Sequence, residues 1–532
     1  MRNPTPARIQ ARRWATLGVL CLSLLVVVVD NTIVNVALPT LVRDLHASTS
    51  SLQWVVDAYT LAMAGLLLTL GSLGDRLGRH RTLAGGLVIF GVGSALAATA
   101  GSAGQLIACR VLMGVGAAAI MPATLSILTN VFTVPAERAR AIALWSAVSG
   151  LGIAIGPTLG GWLLEHFSWG SIFLVNLPIV AVALVAGQLV VPPSADAHPP
   201  ALDPAGAVLS AAGLVALVYA IIEAPQHGWL SPATLGVGAA GLAVLGSWVV
   251  WELRSSHPMV DLRIFANARF SAASFAVTMI FLALFGWLFL FTQQLQFVLG
   301  YNTLQAGVRA LPFALTIGVT APQAARLAAR LGTKVVVAAG LGIMAGGLAM
   351  MATSTVHTRY PFLLVASVVV AAGMGLAMAP ATESIMGSLP PAQAGVGSAV
   401  NDTTRELGGA LGVAVMGSVA SSVFTSRIGP ALAPVPAAYA TQARTSVGAA
   451  VTIGRQAPAA VGNLLVHAAR GAFVTAADRA TLVAVGAAVL GAVVAALFLP
   501  ARAASAAPVA PAGTAGAVTD ETTAGPLELE VA

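Results

Sequence analysis

The sequence predicts an all-α polytopic membrane protein with fourteen transmembrane helices, arranged as two six-helix bundles with two extra central helices. Three observations predict this class. Hydrophobic residues make up 58% of the 532 residues and charged residues only 8%, whereas a soluble protein carries about 25% charged residues. Apolar segments of about 20 residues, the length that crosses a bilayer, recur along the chain. A short motif after the second segment returns in altered form after the tenth.

Fourteen segments are apolar enough and long enough to cross a membrane. The first resembles a secretory signal peptide in position only, because it is too long, contains Asp30 and meets no small-residue cleavage site. We therefore expect it to be retained as a helix. The predicted spans are 14–42, 52–73, 82–101, 104–129, 139–163, 171–191, 205–224, 232–252, 270–291, 304–325, 335–353, 360–385, 395–424 and 477–500.

The basic residues orient these spans. Sixteen Lys and Arg residues lie on the side of the N-terminus, against Arg43 and Arg359 in the short loops of the other side. Because cytoplasmic loops carry the excess of basic residues, both termini are predicted to be cytoplasmic, in a bacterial inner membrane. The basic residues are scattered rather than clustered on one face, so no nucleic-acid partner is expected.

An internal repeat divides the chain. "SLGDRLG" (72–78) follows the second span and "RLAARLG" (326–332) follows the tenth. If spans seven and eight are an insert, these stretches occupy equivalent loops of two six-helix halves, a common plan of transporters. The predicted units are a cytoplasmic N-terminus at 1–13, a first bundle at 14–191, a two-helix insert with linkers at 192–269, a second bundle at 270–500 with a long extracellular loop at 425–476, and a disordered cytoplasmic tail at 501–532.

The sequence contains no motif typical of nucleotide hydrolysis or metal catalysis. No Walker A, HExxH, CxxC or nucleophile-elbow pattern occurs, and the apolar surroundings of Cys21 and Cys109 indicate no disulfide framework. We expect no enzyme activity, no metal and no cofactor. An ion gradient would therefore have to drive any uphill transport.

The first span carries an acid and two amides at membrane depth. Asp30, Asn31 and Asn35 fall within an arc of about 140° on a helix, so one polar face can line a cavity. Burial favours the neutral form of a carboxyl group, which makes Asp30 a candidate to carry a proton and to release it when a cation arrives. The alternative is a structural acid that the asparagines and backbone groups satisfy.

A second acid lies near the start of the second span. Asp57 either faces the same cavity as Asp30, with Trp54 and Tyr59 as neighbours that contact substrate, or it is an interfacial residue between belt aromatics. Arg110, in the fourth span, has two possible roles. Its charge tunes one of the two acids, or its guanidinium hydrogen-bonds helix carbonyls.

The thirteenth span carries two acids on one face. Asp402 and Glu406 are four residues apart, with Arg405 beside them. In a purely structural interpretation Asp402 pairs with Arg405, which leaves Glu406 as the freer acid and a second proton site.

An aromatic stripe runs along the ninth span, in "FLALFGWLFLFTQQLQF" (281–297). Such stripes serve packing, or they bind hydrophobic cations by stacking and cation–π contact. In the second interpretation the candidate substrate residues are Phe281, Phe285, Gln293 and Gln294.

The loop "GSLGDRLGRHR" (71–81) has a spacing that a positive-inside loop does not require. Glycines permit a tight turn and close helix approach, while Asp75 can cap the next helix or pair with an arginine. The pattern resembles the signature loop of the major facilitator superfamily. The residues that carry it are Gly71, Gly74, Asp75, Arg76, Gly78 and Arg79.

A glycine stripe marks the fifth span, "GLGIAIGPTLGG" (150–161). Glycines every four residues let another backbone pack closely, and Pro157 removes a backbone donor and bends the helix. We expect this bent surface to form the seam between the two halves, although a generic helix contact explains the stripe equally well. Its glycines are Gly152, Gly156, Gly160 and Gly161.

Other stretches narrow the resemblance to the fourteen-helix drug:proton antiporter branch of that superfamily. "RVLMGVGAAAIMP" (110–122) resembles its fourth-helix motif and the glycine stripe its fifth-helix antiporter motif. "DNTIVNVALP" (30–39), "WGSIFLVNLP" (169–178) and "NDTTRELGGALGVAVMGS" (401–418) also match the branch. The chain departs from the pattern at Ala329, where the second half lacks an acid equivalent to Asp75, so a charge lock there is in doubt.

The resemblance implies a monomeric exporter in a lipid bilayer, with small amphiphilic substrates and protons as the coupling ion. The acids expected to couple are Asp30, Asp57, Glu406 and Asp402. Two alternatives stay open. One is a dedicated exporter of a single physiological metabolite or lipid precursor, and the other is a membrane sensor that does not transport.

Overall fold

The computed structural model describes residues 6–194, 202–389, 394–433 and 435–501. Within these residues fourteen helices are long and apolar enough to cross a membrane, and no strand occurs. The predicted all-α membrane protein with fourteen crossings is therefore confirmed. Beyond residue 501 the predicted tail lies outside the described residues, as do residues 1–5 of the predicted N-terminal segment.

The helices form two bundles separated by an insert. The first bundle contains α1 (Pro6–Asp44), α2 (Thr49–Leu77), α3 (Arg79–Ala98), α4 (Ala103–Val131), α5 (Pro135–His166) and α6 (Ser171–Val190). The insert contains α7 (Pro204–His227) and α8 (Pro232–Arg254). The second bundle contains α9 (Ala268–Gln293), α10 (Thr303–Leu331), α11 (Thr333–Met351), α12 (Tyr360–Met386), α13 (Ala394–Ile428), the short α14 (Ala437–Ala443) and α15 (Val447–Gln456), and α16 (Ala459–Phe498).

Local sequence defines several helix ends. The Ser48 side chain accepts a hydrogen bond from the Ser51 amide at the start of α2, and Asn302 forms a capping box with Gln305 at the start of α10. Gly78 (φ 103°) and Gly332 (φ 89°) end α2 and α10 in a conformation that favours glycine. The two stretches of the internal repeat thus make the same backbone turn.

The two bundles contact each other mainly through two helix pairs, α5 with α10 and α2 with α13, and α1 adds smaller contacts with α9, α10 and α15. Helix α7 packs against both α2 and α13 and covers their seam from the side, and α8 packs on α7. Because the chain crosses fourteen times, the start of α1 and the end of α16 lie on one face, here called the terminal face. The other face is called the opposite face.

The predicted extracellular loop at 425–476 is largely helical, which corrects the predicted start of the last span. Helix α13 ends at Ile428, α14 and α15 follow, and α16 begins at Ala459 rather than at residue 477. Polar and charged residues in the first half of α16 lower the hydropathy of any window there without breaking the helix. They are Asn463, His467 and Arg470.

Candidate functional site

Asp30 lies in a buried polar cluster that α1, α3, α4 and α6 build inside the first bundle. Its carboxylate forms an ion pair with Arg110, and neither side chain is exposed. Asn176 Nδ2 donates to Asp30 Oδ1 at 2.9 Å and also reaches Ser94 Oγ at 3.0 Å. Asp30 is therefore satisfied, but by Arg110 and Asn176 rather than by the asparagines of its own helix.

Arg110 combines both roles that its sequence position allowed. Besides pairing with Asp30, its Nε donates to the Val55 carbonyl at 3.0 Å, and its guanidinium carbon lies 4.2 Å from the centre of the Tyr59 ring. The Tyr59 hydroxyl donates to the Val27 carbonyl at 3.4 Å. The arginine therefore ties α1, α2 and α4 together.

Asp57 has a different environment from Asp30. Its side chain is fully buried, and among the described residues neither carboxyl oxygen has a hydrogen-bond partner. It is therefore not an interfacial residue. Because the Tyr59 ring, two residues further along α2, lies against Arg110, Asp57 lies on nearly the opposite side of α2 and does not share the surroundings of Asp30.

The surface of α2 that carries Asp57 packs against the second bundle. Gln53, Asp57 and Leu61 are four residues apart and lie on one face. Gln53 Nε2 donates to the α13 carbonyls of Val413 at 3.2 Å and Ala414 at 2.9 Å. Leu61 packs with buried residues of α13 and α7, namely Ala410, Ala414, Val218 and Ile222. Asp57 is thus an unpaired acid in the seam between the two halves.

The acids of α13 lie beside an aromatic pair of α9. Arg405 Nη1 is 4.0 Å from Asp402 Oδ1, so the predicted pairing is present but long. The Arg405 guanidinium lies 5.4 Å from the Phe281 ring, which stacks with Phe285 at 6.0 Å between ring centres. Glu406 is half-buried.

Asn31 and Asn35 follow Asp30 on α1. Asn35 Nδ2 donates to the Asn31 carbonyl at 3.3 Å. Within the described chain the side-chain oxygens of both residues are buried and lack a hydrogen-bond partner.

Three predicted substrate residues contact other parts of the protein. Trp54 Nε1 donates to Glu223 Oε1 of α7 at 3.3 Å. Gln293 Nε2 donates at 2.9 Å to the Phe289 carbonyl of its own helix. Gln294 Nε2 donates to Ser354 Oγ at 3.1 Å, within the second bundle. The structure therefore does not place these side chains with the acids. Trp54 and Gln294 bond to neighbouring helices, and Gln293 bonds to its own helix.

The signature loop ends in an ion pair. Asp75 Oδ1 accepts from Arg79 Nε at 2.7 Å, so Asp75 pairs with an arginine and does not cap α3, whose N-cap is Gly78. Arg76 is exposed. At Gly71 and Gly74 an added Cβ would lie 3.4 Å from Pro122 and from Thr82, an ordinary van der Waals contact, so these two contacts do not require glycine.

The glycine stretch of α5 faces both bundles: three of its glycines pack on α1, while Gly161 and Pro157 contact the second bundle. Added Cβ atoms would meet Val28 at Gly152, Thr32 at Gly156 and Ile33 at Gly160, all on α1. The contact with the second bundle is made by another face of the same stretch of α5. There Gly161 lies against the backbone of Thr303 and Leu304, and the Pro157 carbonyl lies against Gly307.

Two residues of the Asp30 cluster had no role predicted from the sequence. Asn176 lies in "WGSIFLVNLP", an otherwise apolar stretch, and Ser94 lies on α3. A lone asparagine in a membrane helix is a signal for a buried polar partner, and it would have pointed to Asn176. Ser94 gives no such signal, because a serine hydroxyl can bond to its own helix.

Comparisons with known proteins agree with this architecture. A sequence model described as Major Facilitator Superfamily matches residues 20–413. The multidrug efflux pump LfrA of Mycolicibacterium smegmatis is 36% identical over 475 residues, which cover 88% of this chain and 93% of the relative. The methyl viologen resistance protein SmvA of Salmonella typhimurium is 36% identical, with 87% of this chain and 93% of the relative covered. The tetracenomycin C resistance and export protein of Streptomyces glaucescens is 33% identical, with 79% and 78% covered.

Solved structures share the fold at low sequence identity. A bacterial homologue of the human lysosomal transporter Spinster, inward-facing and unoccupied, gives a TM-score of 0.64 at 16% identity and covers 92% of this chain and 98% of its own. The D-xylose–proton symporter gives a TM-score of 0.60 at 14% identity, with the same coverage. With the family model matching most of its length, this chain belongs to the Major Facilitator Superfamily.

Proposed function

We propose that the protein is a proton-coupled antiporter that exports hydrophobic, cationic drugs or dyes across the bacterial inner membrane by alternating access. Relatives named for multidrug efflux, methyl viologen resistance and tetracenomycin C export support drug export. The excess of basic residues beside the termini supports a cytoplasmic terminal face, which makes the opposite face the outer one. A monomer suffices, since one chain contains both halves.

The observation that carries proton coupling is the buried, unpaired carboxyl of Asp57 in the seam. An uncompensated charge there would cost several kcal/mol, because no counter-charge or hydrogen bond replaces its hydration. In the absence of a bound substrate cation, Asp57 is therefore proposed to hold a proton whenever α2 and α13 are in contact. When the seam opens to the outside, water reaches the carboxyl and the proton can exchange.

The difference between a buried and a hydrated Asp57 carboxyl would couple proton binding to the movement of the two halves. Outside, Asp57 and Glu406 load protons and the substrate leaves. The halves then return with the acids neutral, which is the state that the closed seam accommodates. Inside, a cationic substrate binds near Glu406, Asp402 and the Phe281–Phe285 pair, and the protons are released. A ligand shifts such an equilibrium only through its different affinity for the two states, so drug and proton must compete for the same charge.

The test uses purified protein in proteoliposomes, with ethidium as substrate and an imposed proton gradient. Wild type is expected to accumulate ethidium against its gradient. Asp57→Asn, which keeps the shape but cannot titrate, should lose this accumulation while ethidium counterflow, an exchange that needs no net proton movement, continues.

Two outcomes would contradict the proposal. Full gradient-driven accumulation in Asp57→Asn would remove Asp57 from coupling. An absence of flux for any cationic dye in wild type would favour a dedicated exporter of one physiological solute, and dye binding without flux would favour a sensor.

A further inference from the structure

Helix α7 of the two-helix insert is attached to α2 of the first bundle over a long contact. At the opposite face Gln226 Nε2 donates to Ser50 Oγ at 2.7 Å, and Glu223, three residues earlier, accepts from an indole of α2. About 22 Å further along α2, an added Cβ at Gly65 would lie 2.9 Å from the Cβ of Ala211. The two helices therefore also approach each other closely at a distance from the opposite face.

The same end of the insert also reaches α13 of the second bundle. Trp229, which follows α7, donates from Nε1 to Ser422 Oγ at 3.0 Å. Beside this bond α7 packs on small side chains of α13, Ala410 and Ala414. Nearer the terminal face a cavity of about 880 Å³, lined by both helices, lies between them. The contact of the insert with α13 therefore lies in the half of the seam next to the opposite face.

The insert thus bridges two helices that separate when this half of the seam opens. The half is closed in the structure, since Gln53 of α2 donates to two carbonyls of α13. When it opens, α7 can follow one bundle. The long contact with α2, with its close approach at Gly65, favours the first bundle. The Trp229 bond is the one that breaks at least cost, because the side chain is 43% exposed and water replaces the lost partner of an exposed donor.

We propose that the two-helix insert is a strap, which moves with the first bundle and binds α13 through Trp229, so that it holds the seam closed at the opposite face. The strap favours the conformation described here, and the bond between Trp229 and Ser422 breaks each time the seam opens to that face. The place of this opening in an export cycle rests on the proposed function.

Ala414 of α13 offers a reporter of seam opening that does not depend on transport. It is fully buried in the seam, and its carbonyl accepts from Gln53. The parent variant combines Ala414→Cys with Cys21→Ala and Cys109→Ala, which removes both native cysteines. The measurement is the rate at which the full-length parent in nanodiscs reacts with a membrane-impermeant maleimide, because the new thiol is accessible while the seam is open.

Trp229→Phe keeps an aromatic ring and loses the indole donor. In the parent background it should raise the reaction rate about threefold, the effect of one hydrogen bond that is present in the closed state and absent in the open one. Ser422→Ala should raise the rate by the same factor. The double variant should raise it no further, because both changes remove the same bond.

Two control variants remove hydrogen bonds that stay intact when the seam opens. Gln226→Ala removes the bond to Ser50 of α2, which moves together with the insert, so the reaction rate should not change. Trp251→Phe removes an indole bond to Asp203 inside the insert, at a side chain that is 45% exposed, close to the value for Trp229. It should also leave the rate unchanged.

Equal rates in the parent and in both Trp229→Phe and Ser422→Ala, or an equal rise in Trp251→Phe, would overturn the strap. A rise in Gln226→Ala with no rise in Ser422→Ala would show that the insert follows the second bundle instead. The proposed function fails separately. If wild type shows no gradient-driven ethidium flux but the expected pattern of reaction rates appears, the proposed antiport is wrong and the strap stands.

Discussion

Asp30 and Asp57 are both acids at membrane depth, and both are fully buried, yet they occupy opposite kinds of environment. Asp30 is held by Arg110 and Asn176 within one bundle. Asp57 has no partner among the described residues and lies where α2 of one bundle meets α13 of the other. The partners of Asp30 belong to the same bundle as Asp30, so they are expected to move with it. The residues around Asp57 belong to both bundles, and the proposed opening of the seam separates them.

Under the proposed function, depth in the membrane alone does not identify a coupling acid. A carboxylate with a fixed counter-charge keeps its environment through the transport cycle, so it gains or loses little when the halves move. An unpaired carboxyl at the moving contact changes from buried to hydrated, and this difference is what links protonation to conformation. Under the proposed function, Asp30 belongs to the architecture and Asp57 to coupling.

Arg110→Leu should give the largest loss of stability, because it leaves the Asp30 charge buried without compensation. Breaking one partner of a buried ion pair typically costs about 3–5 kcal/mol, and this variant also loses the hydrogen bond to the Val55 carbonyl. The measurement is the thermal unfolding midpoint of purified protein in detergent. The double variant Asp30→Asn/Arg110→Leu should recover part of the loss, since it removes both charges. Strictly additive single losses would show that the pair does not interact.

Asp57→Leu and Asp30→Leu should change stability in opposite directions. Leucine has a similar size to aspartate and fits the apolar seam, so Asp57→Leu should stabilise the closed protein by about 1 kcal/mol or more. Asp30→Leu leaves Arg110 without its counter-charge and should destabilise. Both variants are compared with wild type by the same unfolding assay. A loss in Asp57→Leu as large as that in Asp30→Leu would mean that Asp57 has a stabilising partner after all.

The sequence predicts the membrane helices well and the partners of their side chains poorly. Apolar length identifies fourteen spans, because every crossing must bury about 20 residues in lipid. The same signal misses the first half of α16, where polar residues interrupt the apolar window but not the helix. Hydropathy therefore predicts crossings, while helix continuation outside the membrane depends on packing with neighbours such as α15.

The roles of individual polar residues depend on contacts that sequence spacing does not contain. Asp30 and Arg110 were both predicted as candidates, but their pairing needs the packing of α1 against α4. Trp54 and Gln294 have the composition of a binding site, and neighbouring helices direct them elsewhere. The burial of Asp57 follows from the position of α13 in the other half of the chain, which no local pattern reveals.

Asp75→Asn should have the smallest effect on stability, because its ion pair is partly hydrated. The side chains of Asp75 and Arg79 are 24% and 18% exposed, and pairs of this kind contribute about 1 kcal/mol or less. Glu137→Gln is a matched control, since Glu137 pairs with Arg13 at the same face with similar exposure. Both losses should shrink in about 0.5 M salt, where exposed charges are screened. A loss of stability in Asp75→Asn that is as large as that of Arg110→Leu and does not change with salt would contradict this prediction. Asp75 would then stabilise the fold as strongly as the buried pair of Asp30 does, and side-chain burial would not distinguish structural acids from hydrated ones.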